Sequence, residues 1–125
     1  MPFRVHWADA EHTLMRCDIQ APWTWEEFDA AWRQFYEMGS SAQHPVICAV
    51  DAHLMGLLPR NALRVIHDRY SVLPPNISKM VVVNAPTMLR VIVDVMSLIR
   101  PDIFKCYHFV PTFDEAQRLL NTRLS

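Results

Sequence analysis

Five consecutive apolar residues, Val46 to Val50, stand between Pro45 and Asp51, and such a β-rich run fits a strand covered on both faces. Strands covered on both faces are typical of parallel sheets, and parallel neighbours need long crossovers, usually helices. The chain supplies them. After Asp51 a helix is expected from Pro59 at its first turn, with Ala62, Leu63, Val65, Ile66, Tyr70 and Leu73 on its apolar face, until Pro74, Pro75 and Asn76 stop it. Met80 to Val83 then read as a second buried strand, and Pro86 sits where the next helix would start. Phe104 to Val110 read as the last strand. Thr112 and Glu115 form a capping box before Phe113, Ala116, Leu119 and Leu120 on a terminal helix.

The N-terminal part follows a different rhythm. Phe3, Val5 and Trp7 alternate with polar residues, Asp9 to Glu11 supply a turn, and Met15, Cys17 and Ile19 resume the alternation, which predicts a strand pair. Thr24 and Glu27 make another capping box, and Trp25, Phe28, Trp32, Phe35 and Tyr36 recur at helical spacing until Gly39 and Ser40-Ser41. That aromatic stripe reads as core. The fold expected is α/β: an N-terminal strand pair followed by strand-helix repeats, giving about five strands in a mostly parallel sheet flanked by about four helices. Residues 1–125 read as one domain.

Composition narrows the functional classes. Hydrophobic residues make up 51% and charged residues 20% of the chain, which suits a packed globular core rather than a disordered segment. The net charge of -1 gives no general attraction to nucleic acid, so none is expected as a partner. The first twelve residues lack the apolar core of a signal peptide, and the apolar stretch Met88 to Ile99 is short and interrupted by Arg90 and Asp94, so no transmembrane span is expected. Cys17, Cys48 and Cys106 show no paired spacing; reduced thiols and a cytoplasmic protein are the simplest expectation. With only Gly39 and Gly56 there is no phosphate-binding glycine loop, and His6, His12, His44, His67 and His108 show no metal-ligand spacing. No cofactor, metal or catalytic residue is indicated.

Several short segments in a fixed order resemble the bacterial STAS-like proteins, named for sulfate transporters and anti-sigma-factor antagonists. They are Trp23-Thr24-Trp25-Glu26-Glu27-Phe28, Val50-Asp51, Leu58-Pro59-Arg60-Asn61-Ala62-Leu63, Pro75-Asn76, Val81-Val82-Val83 and Thr112-Phe113-Asp114-Glu115-Ala116. The resemblance implies a sheet wound by strand-helix repeats, used for partner binding and, in related lipid-transfer-like domains, for holding apolar molecules. It also implies a non-catalytic interaction or regulatory module. In regulatory STAS proteins the loop after the third strand carries an Asp followed by a phosphorylated Ser; here Asp51 is followed by Ala52 and His53, so that switch is missing.

Three sets of residues are candidates for a site. The carboxyl edge of a parallel sheet is where ligands collect, and Asp51, His53, Arg60, Asn61, Asn84 and Arg90 are expected there as a ligand or anion site. Arg60 and Arg90 are expected in first helical turns, where an anion would offset the helix dipole; compensation by Asp51 or solvent is the plainer alternative. The loop residues Leu54, Met55, Leu57 and Leu58 form an apolar lid that packs down, meets a partner or enters a lipid interface. On the third helix the apolar arc spans about 220°, twice what a half-covered helix needs. Met88, Leu89, Val93 and Met96 are therefore candidates for a homodimer seam or a pocket wall. The leading expectation is an interaction module, as a homodimer or with a protein partner, and the alternative is a module for a lipid-like molecule with peripheral membrane contact.

Overall fold

A computed structural model describes residues 2–124, with side chains to position 118, so the expected core roles of Leu119 and Leu120 lie outside the described side chains. Strand β1 (Phe3–Trp7) pairs antiparallel with β2 (Leu14–Gln20), Val5 opposite Cys17. Their turn is held by the Asp9 carboxylate, which accepts from the amides of Thr13 (2.9 Å) and Leu14 (3.0 Å) and from the Thr13 hydroxyl. Helix α1 (Trp25–Ser41) follows. Both arms of its capping box are present, with the Glu27 amide donating to Thr24 Oγ1 and the Thr24 amide to the Glu27 carboxylate.

Strand β3 (Val46–Leu54), helix α2 (Ala62–Arg69), strand β4 (Ile77–Val83) and helix α3 (Thr87–Ile99) repeat the expected pattern. A one-turn helix α4 (Pro101–Phe104), strand β5 (Tyr107–Val110) and helix α5 (Phe113–Leu124) complete it. The five strands lie in sequence order, antiparallel only between β1 and β2. The α/β architecture is as expected.

Several boundaries differ. Helix α2 ends at Arg69, with Tyr70 as its C-cap and Leu73 beyond it, and β4 starts at Ile77, three residues before Met80. Strand β3 runs on to Leu54, because a bulge against β2 lets Gln20 pair with Leu54 and keeps the chain in the sheet past Asp51. Helix α2 starts at Ala62 and not at Pro59, since Asn61 holds a left-handed φ of 62° and interrupts helical geometry before it. Phe104 belongs to α4, where Pro101 occupies the first helical position, so the last strand begins only at Tyr107.

Alternation along the strands sorts the core into two layers. Cys17, Cys48, Val50, Met80, Val82 and Tyr107 face the layer of α1 to α4. Ile47, Val81, Val83 and Val110 face α5 and pack with Ala116. All three cysteines are unpaired thiols.

Candidate functional site

The aromatic stripe of α1 does not close down on the sheet. Between the sheet and helices α1 to α4 lies a cavity of about 120 Å³. Its floor is Phe3 of β1, Cys17 and Ile19 of β2, Cys48 and Val50 of β3, Met80 and Val82 of β4 and Tyr107 of β5. Trp25, Phe28, Ala31, Trp32 and Phe35 of α1 form one wall, and Ile66 and Tyr70 from α2, Leu89 and Val93 from α3 and Phe104 from α4 form the rest. Cys17 and Val50 lie in interior strands yet remain only half-buried, because the space above them is not filled.

The aromatic rings support one another around this space. Trp25 stands edge-on to Trp23 (5.2 Å, 84°) and to Phe28 (5.4 Å, 74°), and Tyr70 approaches both Phe28 (4.7 Å) and Trp32 (5.1 Å). The Tyr70 hydroxyl donates to Asp29 at 3.2 Å, tying the end of α2 to α1. Burial, and then the Asp29 charge, push its pKa up. The Trp25 indole nitrogen is buried with no hydrogen-bond partner.

No residue lining the cavity carries a charge. Burial, with a smaller effect from Asp18, raises the Cys17 thiol to about 12, and burial also pushes up Cys48 and the Tyr107 hydroxyl. These groups are neutral at physiological pH, so the thiols are poor nucleophiles.

Met55 and Leu58 of the loop after β3 pack down onto the cavity as the lid reading expects, whereas Leu57 is 96% exposed and Leu54 half-exposed. Gly56, at φ 74°, provides the reversal that sends neighbouring residues to opposite sides. On α3, Leu89 and Val93 line the cavity and Met96 is fully buried, leaving Met88 as the one member of that set on the surface. Leu89 and Val93 thus take the pocket-wall alternative, and Met96 alone is corrected from surface to interior, where it packs with Ala62 of α2 and Phe104 of α4. The apolar surface stripe consists instead of Met88, Val91, Leu98 and Ile99.

The expected anion site divides. Asp51 points to the α5 face, away from the cavity, because it follows cavity-facing Val50 in the strand. Its carboxylate accepts from His53 Nδ1 at 2.6 Å and from the His53 amide at 3.2 Å, and lies 3.6 Å from the Arg16 guanidinium. Arg16 also pairs with Asp18 at 3.0 Å and lies over the Phe113 ring at 4.5 Å. Thus the cation beside Asp51 is Arg16 from β2, and neither Arg60 nor Arg90. A strand-borne Arg among alternating apolar residues gave only a register signal, with no hint of its partner.

Arg60 is exposed and precedes α2, which corrects its placement in a first helical turn; Asn61 next to it makes no side-chain cap. Arg90 does occupy the first turns of α3, and its guanidinium sits 5.6 Å from the Phe109 ring centre, where a π-face meets its charge. Asn84 is an exposed left-handed residue (φ 52°) whose amide donates to the Val110 carbonyl. Asp51 and His53 have the carboxylate-oriented imidazole of a general base, but among the described residues no hydroxyl or thiol is hydrogen-bonded to His53. Among the described residues there is also no cluster of His, Cys, Asp and Glu fit to hold a metal ion, and no helix long and apolar enough to cross a membrane. Comparison with protein-family models, with curated proteins and with solved structures gives no match to this chain.

Proposed function

We propose that this chain is a non-catalytic binding module that holds an apolar small molecule between its sheet and helices α1 to α4. The observation that carries this is the unfilled space over Cys17 and Val50, walled by every helix of that layer. Water needs two to four polar partners to settle in a cavity, and this wall offers almost none. An apolar guest gains roughly 25 cal/mol for each Å² it removes from water, with little side-chain reordering because the rings already brace one another. The STAS-like resemblance, with its lipid-transfer-like relatives and the missing phosphoserine, points the same way.

The test is a thermal-unfolding titration with toluene and, separately, decane, run on the native chain and on Val50→Trp, whose indole would occupy the cavity. A guest that binds only the folded state raises the midpoint with concentration. The expected result is such a rise with at least one compound and its loss in a folded Val50→Trp. No rise with either compound, or an equal rise in the variant, overturns the proposal.

A second reading has its own observation. Met88, Val91, Leu98 and Ile99 form an exposed apolar stripe on α3, with Leu98 86% exposed, and this favours a protein-interaction surface such as a homodimer seam. Leu54 and Leu57 likewise support peripheral contact with a lipid surface. Light scattering on the native chain and on Leu98→Glu tests the seam: a dimer that dissociates in the variant supports it, and a monomer at all concentrations removes it.

A further inference from the structure

We infer that the guest is a compact, neutral aromatic molecule with a hydrogen-bond acceptor, such as an aromatic ketone, and not a fatty acid or other saturated chain. The inference rests on the apolar-ligand reading above and narrows it by size, charge and shape.

Size comes first. The cavity holds about 120 Å³. An apolar cavity of about 150 Å³ takes up a single benzene, whereas sites for larger ligands run from about 300 to 1,000 Å³. One ring, or two fused rings with modest side-chain movement, matches the space.

Charge is next. With no Lys, Arg or His on the wall, a carboxylate drawn inside would lose its hydration without gaining a counter-ion. A fatty acid would have to leave its head group outside and put only a short length of chain within.

Shape and polarity select among neutral guests. Nine of the 21 lining residues are aromatic, and they present both edges and faces: Trp25 is edge-on to Trp23 and Phe28 but near-parallel to Tyr70 (25°). A flat π-system can add edge-to-face and offset contacts to such a wall, and a saturated ring of the same carbon skeleton cannot. The Met55 and Met80 thioethers favour ring edges as well. The buried Trp25 N–H lacks an acceptor. A guest carbonyl that reaches the Trp25 N–H through a small movement of the ring would satisfy the donor that folding leaves unpaired.

Four probes of graded chemistry make the test, measured by calorimetric titration of the native chain: 1-indanone, indane, hydrindane and palmitate. Indane and hydrindane share one bicyclic carbon skeleton and differ in aromaticity; indanone adds the acceptor. The expected result is indane at least tenfold tighter than hydrindane, indanone tighter than indane, and palmitate weakest. In Trp25→Phe, which keeps a ring but removes the N–H, indanone should lose its advantage over indane. The Trp25 indole proton resonance should shift with indanone more than with indane.

Hydrindane binding as tightly as indane, or palmitate binding while the rings do not, overturns the aromatic assignment and leaves the apolar-ligand reading standing. An indanone advantage that persists in Trp25→Phe overturns the acceptor assignment to that residue. Failure of all four probes, together with toluene and decane, overturns both proposals.

Discussion

The Trp23 indole N–H donates to the Met55 carbonyl at 3.0 Å in a buried setting, joining the entry to α1 with the loop after β3. Trp23 and Met55 both lie on the cavity, so this bond fixes the lid segment to the wall it covers. Replacing Trp23 with Phe removes the donor and part of the ring surface, leaving the Met55 carbonyl short of that partner. A loss of about 1–3 kcal/mol is expected by chemical denaturation. The amides of Met55 to Leu58 should lose hydrogen-exchange protection more than those of β4. An unchanged stability would show that the bond contributes nothing net.

Gly56 makes the same loop sensitive to a single methyl. Its φ of 74° is costly for a residue with a Cβ, and a Cβ built there would lie 2.8 Å from the Ala21 Cβ. Gly56→Ala should therefore destabilise the fold by more than about 1 kcal/mol. Adding Ala21→Gly relieves the contact but not the backbone strain, so the double variant should recover part of the loss. Full recovery would assign the whole effect to the clash; no recovery would assign it to φ.

The buried thiols give a signature at alkaline pH. Cys17 has an ordinary value of 9.0 when exposed and about 12 in the fold, where burial opposes the thiolate. The unfolded chain thus releases this proton first. The thiol's contribution to stability is fully present below pH 9 and is lost as pH rises from 9 towards 12, by up to about 1.4 kcal/mol per pH unit. Cys17→Ala should flatten the stability profile over that window relative to the native chain. At pH 8, Cys17 and Cys48 should react with a thiol reagent only after unfolding.

Arg16 and Asp51 supply a check on the opposite face of the sheet. Among the described residues Asp51 is the one buried charged residue, and the Arg16 guanidinium lies 3.6 Å from it. Arg16→Ala leaves the carboxylate with His53 alone and also strips the cation from the Phe113 ring. Stability should fall by about 1–3 kcal/mol, with the double variant Arg16→Ala, Asp51→Asn costing less than the sum of the singles. Guest binding should be unaffected, because the pair is separated from the cavity by the sheet.

The succession of strands and helices along the chain was legible because each element rests on local signals: period-two alternation at Phe3, Val5 and Trp7, continuous apolar runs at Val46 and Met80, and the Thr24–Glu27 cap. Phe104 misled because an apolar residue next to a β-rich run reads alike in a strand and in a short helix; Pro101 was the clue to the latter. The cavity was not legible. Trp25, Phe28, Trp32 and Phe35 recur as any core stripe does, and their spacing says nothing about how far the helix stands from the sheet. Arg90 and Asp51 were expected at one anion site, but the side on which each charge finds its partner depends on strand alternation and on neighbours distant in sequence.

The cavity should oppose stability and binding in one substitution. Ala31 lies on α1 and lines the space, and Leu is nearly as good a helix former as Ala, so Ala31→Leu adds apolar volume with little backbone cost. Where the space is empty, filling it restores contacts that its lining lacks, worth on the order of 1 kcal/mol. The same atoms take the position of a guest. The expected outcome is a higher unfolding midpoint without guest, and at least tenfold weaker uptake of toluene by titration. A lower midpoint would mean that the helix already sits at contact distance and that the added atoms force it away. That outcome would count against a preformed cavity, whatever the binding result.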